Sequence, residues 1–322
     1  MRAYVVGEHG PVLEEVDEPA VGPDDVLVKV HACALNRADL GMAAGRLHGR
    51  AGGAGAVLGM EWAGEVVDTG RRVTAVRRGE RVMGSGAGAF AEYATSDRGR
   101  VLPIPDGVSF EQAATLPVAV QTMHDAVVTN GRLRRGDRVL VQGASSGVGL
   151  MAMQIARHKG AALVIGTSTD PARRARLAEF GADLALDPRD DRWVEEVLGA
   201  TDGRGVDLVI DQVSGAAVTP TMRATAIRGR IVNVGRLGGE RAEFDFDLHA
   251  LRRITYIGVT FRTRSKAEVR RITRRAVADL WDALAAGALR LPIDRIFSFE
   301  MLPDALAHMR ANRHFGKIVV SQ

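Results

Sequence analysis

The segment Gly143-Ala144-Ser145-Ser146-Gly147-Val148-Gly149 constrains this chain more than any other. It stands directly after Arg138-Val139-Leu140-Val141-Gln142, an apolar run of strand length, and directly before a helical pattern from Gly147 to Lys159. A strand that turns through small residues into a helix gathers unpaired N–H groups and the positive end of the helix dipole at one point, where the pyrophosphate of a dinucleotide docks. The usual G-x-G-x-x-G spacing is met here as Ala144-x-Ser146-x-x-Gly149 with an added Gly147. A tight strand–helix turn without a ligand is the alternative.

Strand and helix alternate for a hundred residues around this turn. Ala162–Gly166, Val206–Asp211 and Gly229–Val234 read as further buried strands, with a helix from Pro171 to Phe180. Such alternation predicts a parallel sheet covered on both faces, a doubly wound α/β fold. A helix is expected over Glu111 to Asn130. Thr255-Tyr256-Ile257-Gly258-Val259-Thr260-Phe261 is apolar and β-branched and predicts an edge strand, which needs covering or pairing. The first hundred residues are short strands such as Val26–Ala32 and Trp62–Val67 between glycine turns, the texture of an irregular β-barrel. Ala51–Gly55 is too rich in glycine for a stable helix or strand and is expected to be a mobile loop. A long helix from Ser265 to Ala286, a strand Arg295–Phe299 and a last strand Lys317–Val320 are too few for a separate core and should return to the barrel. The expected domains are therefore 1–120 with 262–322, and 121–261.

Composition narrows the function. Apolar residues at 46% and charged residues at 25% are those of a globular chain. No run approaches 18 apolar residues, and Met1–Val6 enters a strand pattern rather than a signal peptide, so a cytoplasmic place is expected. Cys33 is alone, which excludes an intramolecular disulfide and a multi-cysteine zinc site, and it is expected to be a packed core residue. The pI of about 9.6 comes from scattered arginines without interleaved aromatics, which does not suggest nucleic acid.

Several segments in order resemble one family. Ala144–Gly149 after its strand, Asn36-Arg37-Ala38-Asp39 with Gly45, Gly59-Met60-Glu61-Trp62-Ala63-Gly64, Gln121-Thr122-Met123 and Gly316-Lys317-Ile318-Val319 are similar to motifs of the zinc-free medium-chain dehydrogenases/reductases, close to quinone oxidoreductases of the zeta-crystallin type. The resemblance covers the whole chain. It implies a GroES-like barrel beside a Rossmann-type sheet, NADPH as cofactor, and a quinone or an α,β-unsaturated carbonyl as hydride acceptor. Zinc-dependent relatives carry a cysteine and a histidine where this chain has Asn36 and Met60, so no metal is expected. Asn36 and Asp39 are the implied catalytic residues, with a helix cap as the alternative for Asp39. Ser145, Ser146, Gly147, Val148 and Gly149 would hold the pyrophosphate, with further cofactor contacts from Thr122, Gly235 and Lys317. About 20 residues past the turn stand Thr167, Ser168 and Thr169, neutral where an NAD-selective fold has an acid. Asp170 before Pro171 reads as a helix cap, and Arg173 matches the family's basic position for a 2′-phosphate. Met42, Leu47, Met60 and Met123 are candidate pocket residues, or core. Leu47 replaces the tyrosine of many relatives, and His48 and His124 are expected at the surface. The family also implies a homodimer through strand 255–261. Two alternatives remain, an enoyl-thioester reductase and a non-catalytic, crystallin-like NADPH-binding protein.

Overall fold

The computed structural model describes residues 1–49 and 51–322. The chain forms two compact units, Met1–Gln121 with Phe261–Gln322 (unit 1) and Thr122–Thr260 (unit 2). Their boundary falls within the helix Pro117–His124.

Unit 2 is a six-stranded sheet, parallel throughout. Its strands lie in the order Leu184–Leu186, Leu163–Thr167, Arg138–Gln142, Val206–Asp211, Thr225–Asn233, Thr255–Gly258. The first strand in sequence thus lies in the middle and the order reverses beside it, the doubly wound arrangement that the apolar runs predict. Val139, Leu140, Val141, Leu208, Val209 and Ile210 are all completely buried, as strands covered on both faces must be.

Unit 1 is built on a largely antiparallel sheet in the order Ile293–Ser298, Lys317–Ser321, Asp25–Ala34, Glu61–Thr69, Arg81–Ser85, Val101–Pro103, with Tyr93–Asp97 also paired to Asp25–Ala34. Register shifts at Leu27/Val28 and Val30/Ala32 bend the long strand, as bulges do, and curl the sheet toward a barrel. Its core closes on Leu35, Trp62, Phe90, Phe299 and Val320. Burying Leu35, Phe90 and Phe299 is worth roughly 1.5–3 kcal/mol apiece. Among the described residues no helix is long and apolar enough to cross a membrane.

Three expectations change. The helix over Glu111–Asn130 is three pieces, Phe110–Ala114, Pro117–His124 and a π-helical turn Asp125–Asn130. Pro117 supplies no N–H and disfavours helical backbone at Leu116, so the chain must break there. The helix from Pro171 ends at Ala175 and tightens into a 3₁₀ turn at Leu177–Phe180. The edge strand of unit 2 is Thr255–Gly258, shorter than 255–261.

Candidate active site

Strand register assembles the polar centre of unit 1. Val319 pairs with Ala34, and Leu35 N–H donates to Ile318 O, so Lys317 comes opposite Asn36. Cys33 pairs with Trp62, which brings Glu61 to the same place from the next strand. Lys317 Nζ donates to Leu35 O at 2.9 Å, Asn36 Oδ1 at 3.1 Å and Glu61 Oε1 at 2.5 Å. Asn36 Nδ2 donates to the same Glu61 oxygen at 2.9 Å, and the other Glu61 oxygen accepts from Val118 N–H at 2.8 Å, at the start of the helix Pro117–His124. Glu61 is 0% exposed and Lys317 4%. Two charges so far from water are tolerable only because each meets the other and every remaining position is hydrogen-bonded.

Asp39 lies in the third position of the helix Arg37–Ala43 and accepts the Asn36 backbone N–H through Oδ2 at 2.6 Å. Burial raises its carboxyl to about 7, against the opposing pull of the Asn36 hydrogen bond and of Lys317. The helix cap that was the alternative reading of Asp39 is present. Cys33 is buried, and burial together with the charges of Asp39 and Glu61 pushes its thiol far up, which makes it inert packing.

Lys317 calls for a correction. The family resemblance implied a cofactor contact, but all three ammonium protons are spent inside unit 1. Asn36 keeps one lightly held proton, since its second Nδ2 contact is Ala34 O at 3.5 Å. Met42 and Met123 are closed into the core, Met60 is half-buried against it, and Leu47 stands 67% exposed. Both histidines also differ from expectation. His124 is buried with its neighbours Gln121, Met123 and Asp125, and His48 is half-buried, its imidazolium disfavoured by burial and by Arg262. Among the described residues, no group of three or more His, Cys, Asp or Glu side chains is arranged to hold a metal ion.

The glycine turn of unit 2 is held from two sides. Gly143 takes a positive φ of 70°, open to glycine at no steric cost. Its N–H donates to Thr167 Oγ1 at 3.1 Å, and that hydroxyl donates to Gln142 Oε1 at 2.7 Å. Thr167 is thus turned inward, a brace for the turn rather than the ligand contact expected of it. Ser146 caps the helix Gly147–His158 by accepting Gly149 N–H at 3.1 Å, and its own hydroxyl lies 2.8 Å from Gln212 Oε1. That leaves the N–H groups of Gly147 and Val148 in the first turn without an intrahelical acceptor. A Cβ on Gly149 would lie 2.7 Å from Ala144 and from Gly143 O, and one on Gly235 2.6 Å from Gln212 O, so both positions need glycine. Ser145 and Ser168 meet through their hydroxyls at 3.1 Å. Thr122 is half-buried on its helix.

Three guanidinium groups gather where the strand Leu163–Thr167 ends. Asp170 caps the next helix through Arg173 N–H at 2.8 Å, and the Arg173 side chain lies 3.7 Å from the same carboxylate. Arg174 donates to Ser168 O at 2.8 Å and to Asp187 at 3.1 Å. Arg189 grips both oxygens of Asp187, at 3.1 and 2.9 Å, and also donates to Thr169 O, beside exposed Thr169. Its bonds pull the Asp187 carboxyl down to about 2. Three cations thus share two carboxylates. The role of Arg189 escaped the sequence reading, as did the Gln142 and Gln212 braces and the Glu61–Lys317 pair.

Residues 22–106 match the family described as "Alcohol dehydrogenase GroES-like domain" and residues 147–278 the family described as "Zinc-binding dehydrogenase". The chain is 30% identical over 311 residues to quinone oxidoreductase-like protein 2 of Bos taurus, spanning 96% of this chain and 88% of that one. It is 33% identical over 299 residues to a phenolphthiocerol/phthiocerol polyketide synthase of Mycobacterium tuberculosis, spanning 92% of this chain but only 14% of that protein's length. Among solved structures it is similar to a mycobacterial protein in complex with NADPH, with a TM-score of 0.88, 26% identity and full coverage of both chains.

Proposed function

We propose that this chain, which belongs to the quinone oxidoreductase family of the medium-chain dehydrogenases/reductases, passes a hydride from NADPH to a quinone or an α,β-unsaturated carbonyl. The observation that carries the reading is the Asn36 carboxamide, bound on two sides and left with one N–H for a developing oxyanion. Acceptors of these classes are already electrophilic, so one aimed donor serves where an unactivated alcohol or ketone would need a Lewis acid. The residues do not fit zinc. Met60 offers only a thioether and Asn36 an engaged amide, and the Lys317 ammonium already occupies Glu61, the nearby carboxylate.

The residues of unit 2 fit a dinucleotide. The Gly147 and Val148 N–H groups would hold its pyrophosphate, with Ser145 and Gly235 alongside, and Ser168, Arg173 and Arg189 would hold a 2′-phosphate. Thr122 would contribute from its helix. With Leu47 in place of tyrosine, the product takes its proton from solvent. A panel of quinones, enones and acyl thioesters assayed with NADPH and NADH tests the proposal. NADPH turnover with the first two classes is expected, and binding without any turnover would make this a carrier of the cofactor alone.

A second reading, enoyl-thioester reduction, is favoured by the 33% identity to a polyketide synthase, and turnover confined to acyl thioesters would establish it. We also propose a homodimer through Thr255–Gly258. This strand is an open edge, and Phe246 and Leu251 on the preceding helix Phe246–Arg252 are exposed. A monomer by light scattering at micromolar concentration contradicts it.

A further inference from the structure

We propose that Glu61 and Lys317 are positioning residues for Asn36, holding its carboxamide in one orientation and leaving it a single N–H to work with. The inference rests on the reading of Asn36 as donor to the acceptor oxygen. A terminal amide has two orientations of nearly equal shape, and only its surroundings decide between them. Here an ammonium lies 3.1 Å from Oδ1 and a carboxylate oxygen 2.9 Å from Nδ2. Turning the amide over would set its NH₂ against the ammonium and its carbonyl against the carboxylate, exchanging two attractions for two repulsions where water cannot screen them.

The pair has no proton or lone pair in hand for a substrate. Lys317 spends its third proton on Leu35 O at 2.9 Å, and Glu61 spends its second oxygen on Val118 N–H at 2.8 Å. What the cluster releases is the second Asn36 amide proton, whose 3.5 Å contact with Ala34 O is too long to hold it. The ammonium on Oδ1 also draws electron density from the amide and sharpens that N–H as a donor.

A double-mutant cycle on kcat tests this, with NADPH and 1,4-naphthoquinone as substrates. Glu61→Gln combined with Lys317→Met removes both charges together, so neither is buried alone. Asn36→Ala in the native background should lower kcat about a hundredfold with KM nearly unchanged. The paired substitution should do nearly the same, and the triple variant should lose little more. Losses that multiply in the triple variant overturn the proposal. Should the paired variant not fold, Lys317→Arg, which keeps the charge but displaces its donors, completes the same cycle.

A second readout needs no turnover. In protein labelled with ¹⁵N-asparagine, which has four such residues, the Asn36 Nδ2 proton donated to Glu61 should exchange slowly with D₂O and at least about tenfold faster once the pair is substituted. Equal exchange in the two proteins overturns the positioning role. A protected amide in a protein that reduces no acceptor overturns only the donor reading beneath it.

Discussion

The polar clusters of the two units treat charge in opposite ways. In unit 1, Glu61 and Lys317 are withdrawn from water, matched one to one, and bonded at every position. In unit 2, Arg173, Arg174 and Arg189 share two carboxylates, and the Arg189 side chain is 65% exposed. A closed, neutral cluster can position a neighbour but has nothing to offer a ligand. An open one with surplus positive charge offers what a phosphate needs. Burial and charge balance together thus separate a cluster fit to be a scaffold from one fit to bind, although both are built from ion pairs.

The comparison breaks first at Lys317. Lys317→Met strands the Glu61 charge in the core, and removing one partner of such a pair costs about 3–5 kcal/mol. The urea midpoint of unit 1 should fall sharply and recover largely when Glu61→Gln is added. Equal midpoints in the single and paired variants would mean that the pair is not mutually dependent. Asp39 comes next. Its carboxyl stands at about 7 in the fold, against about 4 when unfolded, so the folded chain keeps a proton that the unfolded chain has lost. The stability due to this group is whole below about pH 4 and is lost as pH rises to about 7, a span of up to roughly 4 kcal/mol. Asp39→Asn should match the native protein near pH 4 and exceed it in unfolding free energy above pH 7; parallel pH curves would refute this.

The exposed Arg189 should act on ligand rather than on folding. Arg189→Gln should leave the urea midpoint in place, and either it or Arg173→Ala should weaken NADPH about tenfold to a hundredfold, with NADH nearly unchanged. Equal losses for both cofactors, measured by fluorescence titration, would erase the contrast between the clusters. The smallest effect is expected at Gln212. Gln212→Ala removes one neutral hydrogen bond from Ser146, worth about 1 kcal/mol, and should weaken NADPH and NADH alike by about fivefold.

How legible each region is in the sequence follows from the same contrast. The glycine turn is contiguous, and its strand, cap and helix can be read within a dozen residues. The sheet order of unit 2 follows from apolar runs that need both faces covered. The unit 1 cluster joins residues 256 apart, and nothing local to Glu61 or Lys317 marks them as partners; only the register of two strand pairs does. Asn36 and Asp39 could be found because they share one short motif. Arg189 was missed for a similar reason, standing 20 residues beyond Thr169, whose carbonyl it meets directly while also bonding Asp187. The break before Pro117 was readable in principle, since proline forbids the continuous helix that periodicity alone suggested.

The placement of the strand Lys317–Ser321 beside Asp25–Ala34 has a consequence for synthesis. The ribosome delivers every residue of unit 2 before it delivers the counterion of Glu61, so the nascent barrel carries an unmatched acid until Lys317 has been added. Unit 2 can close on the ribosome while unit 1 waits for the strand Lys317–Ser321. A stalled nascent chain ending at Ala311 should therefore show a protease-resistant unit 2 behind a protease-labile unit 1.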